Sequence, residues 1–253
     1  MAATRAAFAN YFIRGLKETY FSNYKELPSV YAQIFNAYTS QKNFEEMLSL
    51  VGFGKAPVEG ELETVTLQDP LEGYKAKFTH LKYGLGYQIS QELLDDDMYG
   101  QIKQFPAALA RSLRATQESV AADIFNLGFS GGAALPDGKQ LFASNHDLKR
   151  GGTVKNRPTT DADVSFTALR QGLIDLRKIH DDADLPYLGS EDITLMVAPD
   201  EEFNAAEIIK SVDRPDTANR AVSALAKQRR WNLIVWDYLT DADAWFLLYP
   251  KAL

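Results

Sequence analysis

Apolar residues recur three or four positions apart from Ile102 onward, at Phe105, Leu109, Leu113, Val120, Ile124 and Leu127, with Thr116 continuing the row. Arg111, Arg114, Glu118 and Asp123 supply the polar positions between. This spacing predicts one long amphipathic helix, about 22 residues or roughly 33 Å of rod. Pro106 fits its first turn or a kink, and Gly128 with the Gly131-Gly132 pair ends it. Ahead of the helix the pattern changes to β-rich runs, Thr64 to Leu67 and Tyr74 to Ile89. Gln68-Asp69-Pro70-Leu71-Glu72-Gly73 separates them as a turn, with Pro setting φ and Gly free to take positive φ. Lys75, Lys77, Thr79, His80 and Lys82 interrupt the second run, so this hairpin has little core of its own. An isolated hairpin is marginal in water, which suggests that its partner is another copy of the chain. The plainer alternative for the helix is an ordinary core helix.

Upstream, Ala6 to Tyr20 has a helical pattern, and a second piece after Pro28 carries Tyr31, Ile34, Phe35 and Tyr38. Ser40 is a good N-cap for a short helix over Asn43 to Leu50, with Phe44, Met47 and Leu48 inward and Gly52 and Gly54 as stops. These broken, aromatic-rich pieces fit either a helical subdomain or an arm anchored on neighbouring subunits. Glu59, Glu61 and Glu63 alternate along one strand face, where a solvated edge is favoured over a cation site. Asp95-Asp96-Asp97 reads as favourable charge at a helix N-terminus, since three consecutive carboxylates point in different directions.

Residues 130–163 are turn-dense, with Gly131-Gly132, Pro136-Asp137-Gly138, Gly151-Gly152 and Pro158. The remainder alternates helices and short buried strands. Phe166, Leu169, Leu173, Leu176 and Ile179 form a helical stripe behind the cap Ser165. Ile193 to Val197 is an apolar strand stopped by Ala198-Pro199, and Asp200 to Ile209 is a helix with an acidic start. Trp231 to Trp236 and Ala244 to Tyr249 are the last strands. This order predicts a compact α/β unit. Asp213 to Asn219 reads as a polar loop, and Arg220 to Arg230 is basic, carrying Arg220, Lys227, Arg229 and Arg230.

Composition narrows the function. The 253 residues are 45% hydrophobic and 24% charged, with 14 Phe and 12 Tyr, so the chain builds a folded core. It has no Cys, which excludes disulfides and thiolate metal sites. A net charge of −7 argues against a generic nucleic-acid binder. No apolar run has membrane-spanning length. Asn145-His146-Asp147 follows Ser144, but a catalytic triad needs groups brought together in space, and no nucleophile-elbow spacing occurs. The three His, at positions 80, 146 and 180, lie in separate segments. No phosphate-binding glycine loop appears.

Several stretches together carry a family resemblance. They are His80 through Leu93 (HLKYGLGYQISQEL) followed by Asp96-Asp97 and Tyr99-Gly100; Asp137 through Phe142 (DGKQLF), then Asn145-His146 and Gly151-Gly152-Thr153; Leu195 through Pro199 (LMVAP); and Ala244 through Leu248 (AWFLL). In this order they resemble the major capsid protein of tailed bacteriophages, in its Mu-like head-subunit branch. That capsid fold is shared with herpesvirus capsid floors and encapsulin shells.

The resemblance implies an α+β fold with an N-terminal arm over 1–54 and an extended hairpin loop over 55–90. A peripheral domain with the spine helix covers 91–158, and an axial α/β domain covers 159–253. Its assembly residues would be the loop tip, Gln68, Asp69, Pro70, Leu71, Glu72 and Gly73. The spine's apolar face would be Ile102, Phe105, Leu109, Leu113, Val120 and Ile124. The implied function is structural: self-assembly into pentamers and hexamers of an icosahedral head around double-stranded DNA, held without sequence-specific binding. Implied partners are other copies of the chain, a scaffold or protease, a portal and decoration proteins, with no membrane. The implied place is the virion, assembled in the host bacterial cytoplasm. No catalytic, cofactor or metal residue is implied. Family members continue beyond the last strand seen here, so the axial domain is expected to be incomplete at Leu253. Nothing ahead of Ala6 serves as a scaffold, so a separate scaffold, or one already removed, is expected, with Met1 favouring the former. An encapsulin-like nanocompartment is the alternative within the fold. A small α/β hydrolase using His146 is the distant one.

Overall fold

The computed structural model describes residues 5–61, 64–90, 92–93, 100–131, 135–186, 192–211, 225 and 230–249. The chain divides into two units, Met1–Gln33 with Leu81–Ala121 and Ile34–His80 with Ala122–Leu253.

In the first unit, α1 (Arg5–Glu26) is followed by the one-turn α2 (Tyr31–Ile34). A 3-10 turn over Gln101–Gln104 leads into α3 (Phe105–Asn126), 22 residues long and with Pro106 in its first turn. Arg114 ties α1 to α3. Its guanidinium lies 4.3 Å from the centre of the Tyr24 ring and donates to the Tyr24 carbonyl at 3.0 Å. The Tyr24 hydroxyl donates to Gln117 Oε1 at 2.6 Å. The buried positions of α3 are Pro106, Ala110 and Glu118 in this unit, and Ala122 and Phe125 beyond it. The expected apolar stripe is offset from that face. Ile102 is buried and Leu109 and Leu113 are half-buried, but Phe105, Val120 and Ile124 are 38–43% exposed. Small side chains admit close packing, and a carboxylate can be buried when its oxygens are hydrogen-bonded, so size and hydrogen bonding override the apolar count.

The second unit holds a two-stranded sheet of β1 (Phe44–Val51) and β2 (Leu71–Thr79), antiparallel from Phe44↔Thr79 to Val51↔Leu71. Three sequence expectations change here. The helix expected over Asn43 to Leu50 is strand β1: Phe44, Met47 and Leu48 fit helical spacing, but a short apolar run is ambiguous and cross-strand pairing decides it. Thr64 to Leu67 is not a strand, and Gln68 to Gly73 is not a turn between strands, because Leu71, Glu72 and Gly73 already belong to β2. The second run ends at Thr79 rather than Ile89. Leu81, Tyr83, Leu85 and Tyr87 keep the alternation, but among the described residues they have no strand to pair with. Of the acidic alternation, Glu59 and Glu61 lie outside any strand and Glu63 lies outside the described residues, as does Asp95-Asp96-Asp97. The β1–β2 register shifts between Leu48 and Leu50. Gly73 faces this bulge, where a Cβ would fall 2.1 Å from Ser49 Oγ and 2.9 Å from the Ser49 carbonyl oxygen, so a larger residue would force the ribbon to shift.

After the short pair β3 (His146–Asp147) and β4 (Thr153–Val154), the predicted α/β unit forms nearly as read. Ser165 caps α4 (Phe166–Arg177), its Oγ accepting the Ala168 N–H at 3.2 Å. A mixed sheet has the order β6–β5–β7: β5 (Asp192–Val197) lies parallel to β6 (Arg230–Val235) and antiparallel to β7 (Trp245–Leu248). Ile193 to Val197 is buried throughout, as suits a central strand covered on both faces. Helix α5 (Glu202–Lys210) adds Ala205, Ile208 and Ile209 to a core with Phe166, Leu169, Leu195 and Val197. Gly172 of α4 lets Leu247 and Trp245 approach; an added Cβ would sit 2.9 Å from Leu247 Cδ1. Phe246, one position along β7, lies against Phe125, Phe129 and Phe142, with ring centres 5.1–5.9 Å away. Asp213 to Asn219, and most of the basic run ending at Arg230, lie outside the described residues.

Candidate functional site

The exposed apolar surface of the second unit gathers on β1, β2 and their connection. Met47, Leu48 and Leu50 of β1 are 57–72% exposed, and Val58 and Leu67 of the connection are 99% and 91% exposed. Clusters of large apolar side chains in water mark interaction sites in soluble proteins. Here they occupy a two-stranded ribbon, which gains little stability from its own packing.

The base of this ribbon is anchored. Arg150, on the β3–β4 turn, donates from Nη2 to the carbonyls of Gly52 at 3.0 Å and Asp69 at 3.2 Å. One guanidinium therefore holds both ends of the connection. Gln68 Oε1 accepts the Gly54 N–H at 2.8 Å, closing the same neck. Beside it, the Tyr74 hydroxyl donates to the Asp147 carbonyl at 2.9 Å and Lys149 Nζ lies 4.0 Å from the Tyr74 ring centre. Of the expected loop-tip residues, Gln68 and Asp69 thus sit at the neck, followed by Pro70, while Leu71, Glu72 and Gly73 begin β2. Sequence reasoning missed Arg150, Tyr74 and Gly52 as anchors; they are distant in sequence and match no motif.

His146 is buried and its two ring nitrogens are both engaged, Nδ1 with Asp137 Oδ2 at 2.7 Å and Nε2 with Asn156 Oδ1 at 3.2 Å. Asn156 is itself fixed, accepting the Ala143 N–H and donating to the Leu141 carbonyl. Burial raises the Asp137 carboxyl, but hydrogen bonds from His146 and the Lys139 N–H outweigh it and hold the group below the ordinary aspartate range. This network locks the turns that carry Arg150. Among the described residues no cluster of three or more His, Asp or Glu side chains is arranged to hold a metal ion, and no helix is long and apolar enough to cross a membrane.

A family model described as phage capsid protein matches residues 74–253. The chain belongs to that phage capsid protein family. It is a structural, non-enzymatic protein of the virion capsid. Solved capsids share the fold of this family member. The procapsid of bacteriophage JBD30 superposes with a TM-score of 0.67 at 12% identity, covering 92% of this chain and 100% of that chain. The JBD30 capsid decorated with minor capsid protein trimers gives 0.60 at 14% identity, covering 83% and 91%. No curated protein sequence matches the chain.

Proposed function

We propose that this capsid protein is a major head subunit of the Mu-like branch, assembling into pentamers and hexamers of an icosahedral shell around double-stranded DNA. The observation that carries this reading is the apolar ribbon of β1, β2 and their connection, held at its base by Arg150 and lying open to solvent. In this reading residues 1–54 form the arm, 55–90 the extended loop paired with β1, 91–158 the peripheral domain and 159–253 the axial domain. The ribbon lies across an adjacent subunit, which supplies the core it lacks. Many modest interfaces then add over a closed shell. The outward residues of the spine stripe, Phe105, Val120 and Ile124, are covered in the same assembly. A subunit of net charge −7 encloses DNA without gripping it. A scaffold or protease, a portal and decoration proteins complete the partners, with assembly in the host cytoplasm.

The test replaces Val58 and Leu67 with Asp together. Both side chains are almost wholly exposed, so the variant should fold with unchanged thermal stability yet form no closed particles in negative-stain electron microscopy. Normal shells from the variant would refute the ribbon as the intersubunit strap. Protein cargo in place of DNA inside wild-type particles would favour a nanocompartment instead.

A further inference from the structure

Among the described residues, β7 is an edge strand of the sheet β6–β5–β7. Among the described residues no strand lies on the far edge of Trp245–Leu248, so this edge presents backbone N–H and carbonyl groups with no ladder. Beside the edge is a cleft of about 570 Å³. Helix α4 walls it through Gln171, Gly172 and Asp175, and Phe129 and Phe142 wall it from the side opposite. These are the layers that cover the two faces of β7: Trp245 and Leu247 lie against α4, and Phe246 against the Phe pair. The cleft therefore continues the plane of the sheet between its two covering layers. The loop 155–163 closes one side, pinned where Trp245 Nε1 donates to the Ala162 carbonyl at 2.8 Å.

The charge in the cleft is one-sided. Asp161, Asp163, Asp175, Asp241 and Asp243 line it against Lys155 and Arg157. Arg157 is bound to Asp161, and Lys155 pairs with Asp175 at 3.6 Å. Asp163, Asp241 and Asp243 are left without a cation among the described residues. Asp241 and Asp243 hydrogen-bond to each other, and this contact, followed by burial, holds the Asp241 carboxyl above the ordinary aspartate range.

We propose that this cleft is a docking groove in which an extended segment of a partner protein, carrying Lys or Arg, adds as a strand to the free edge of β7. Main-chain hydrogen bonds to the edge give such a segment its affinity, and side-chain pockets select it. Its residues alternate between the Phe129–Phe142 wall, which takes apolar side chains, and the α4 wall with Gln171 and Asp175, which takes polar ones. A cationic side chain at the end that meets Asp241 and Asp243 relieves their repulsion. The volume falls within the roughly 300–1,000 Å³ of typical ligand sites. The inference rests on the sheet edge and does not depend on shell assembly.

The test uses the full chain and three capped peptides: Lys-Val-Thr-Val-Lys, its twin with Glu at both ends, and Lys-Val-Pro-Val-Lys, which lacks the central N–H. Amide hydrogen exchange over Trp245–Leu248 is the readout, with Trp fluorescence alongside. The lysine peptide should slow exchange at β7. The glutamate twin should bind at least about tenfold more weakly, as expected where charge complementarity selects a partner. The proline peptide should give no protection. Changing Asp241 and Asp243 together to Asn should abolish the preference for lysine over glutamate while the variant stays folded, since both residues are exposed. The proposal is overturned if no peptide at millimolar concentration alters exchange at β7, if the proline peptide protects as well as its parent, or if the glutamate twin binds equally. Protection of β7 in oligomers but not in monomers of the unliganded chain would identify a second copy as occupant and overturn the assignment to a partner protein.

Discussion

The carboxylate of Glu118 accepts the backbone N–H of Tyr31. The contact runs from Oε2 at 3.2 Å, and Oε1 takes the neighbouring Val30 N–H at 2.9 Å. Glu118 is only 4% exposed on α3. The first N–H groups of a helix lack intrahelical acceptors, and here a side chain from another helix supplies them for α2. The negative carboxylate also suits the positive end of the helix dipole.

Replacing Glu118 with Ala leaves two backbone donors without their acceptor. Each such loss costs about 1–3 kcal/mol. We expect a clear drop in the thermal unfolding midpoint, with a smaller drop for Glu118→Gln, whose amide oxygen still accepts one N–H. Equal midpoints for wild type and the Ala variant would show that the carboxylate does not hold α2.

Gly73→Ala tests the bulge opposite Ser49. The new methyl would meet Ser49 Oγ at 2.1 Å and the Ser49 carbonyl oxygen at 2.9 Å. The side chain can rotate away, but the carbonyl is backbone, so the ribbon must shift. Overpacking of this kind costs about 1–3 kcal/mol. Amide exchange should quicken over β1 and β2 while β5 is unchanged, and Ser49→Ala in the same chain should restore only part of the loss.

Legibility in the sequence followed the locality of the forces. The α/β unit was readable because its signals are local: Ser165 before a helical stripe, an apolar run over Ile193 to Val197, and Ala198-Pro199 to stop it. Helix α3 was readable in extent, because 3.6-residue spacing, Pro106 and Gly128 all act within the segment. Its buried face was not, because Ala110, Ala122 and Glu118 carry the burial. The ribbon was half-readable. β2 showed itself through Tyr74 to Thr79, but its partner Phe44–Val51 lies far upstream, and the Pro70–Gly73 turn signal pointed to a nearer pairing that does not form. The Arg150 anchor depends wholly on tertiary placement.

Asp137 makes the neck acid-sensitive. Burial opposes its charge, but the His146 and Lys139 hydrogen bonds hold its carboxyl below the ordinary value of 3.8. A depressed carboxylate contributes stability that is present above its unfolded value and is lost as pH falls through the folded one. The unfolding midpoint should therefore decline below about pH 4 with a component from this group. Asp137→Asn, whose single amide oxygen keeps the Lys139 N–H bond while its NH2 group faces His146, should remove that component and flatten the profile over the same window. An unchanged profile would sink the assignment.

Arg150→Ala removes the tie between the two ends of the connection while leaving β1 and β2 paired. Nη2 reaches both the Gly52 and Asp69 carbonyls, and alanine reaches neither. Lysine is an incomplete substitute, because its ammonium sits at the end of a flexible stem one atom shorter than the reach of Nη2. Opening of the neck becomes easier by about 1–2 kcal/mol, roughly a factor of 5–30 in the open population. Limited digestion with a glutamate-specific protease reads this directly, since Glu59 and Glu61 lie within the connection. Cleavage there should accelerate by that factor in the Ala variant and by less in the Lys variant, while the midpoint of global unfolding hardly moves. Equal cleavage rates in all three proteins would mean that Gln68 and Tyr74 hold the neck without Arg150.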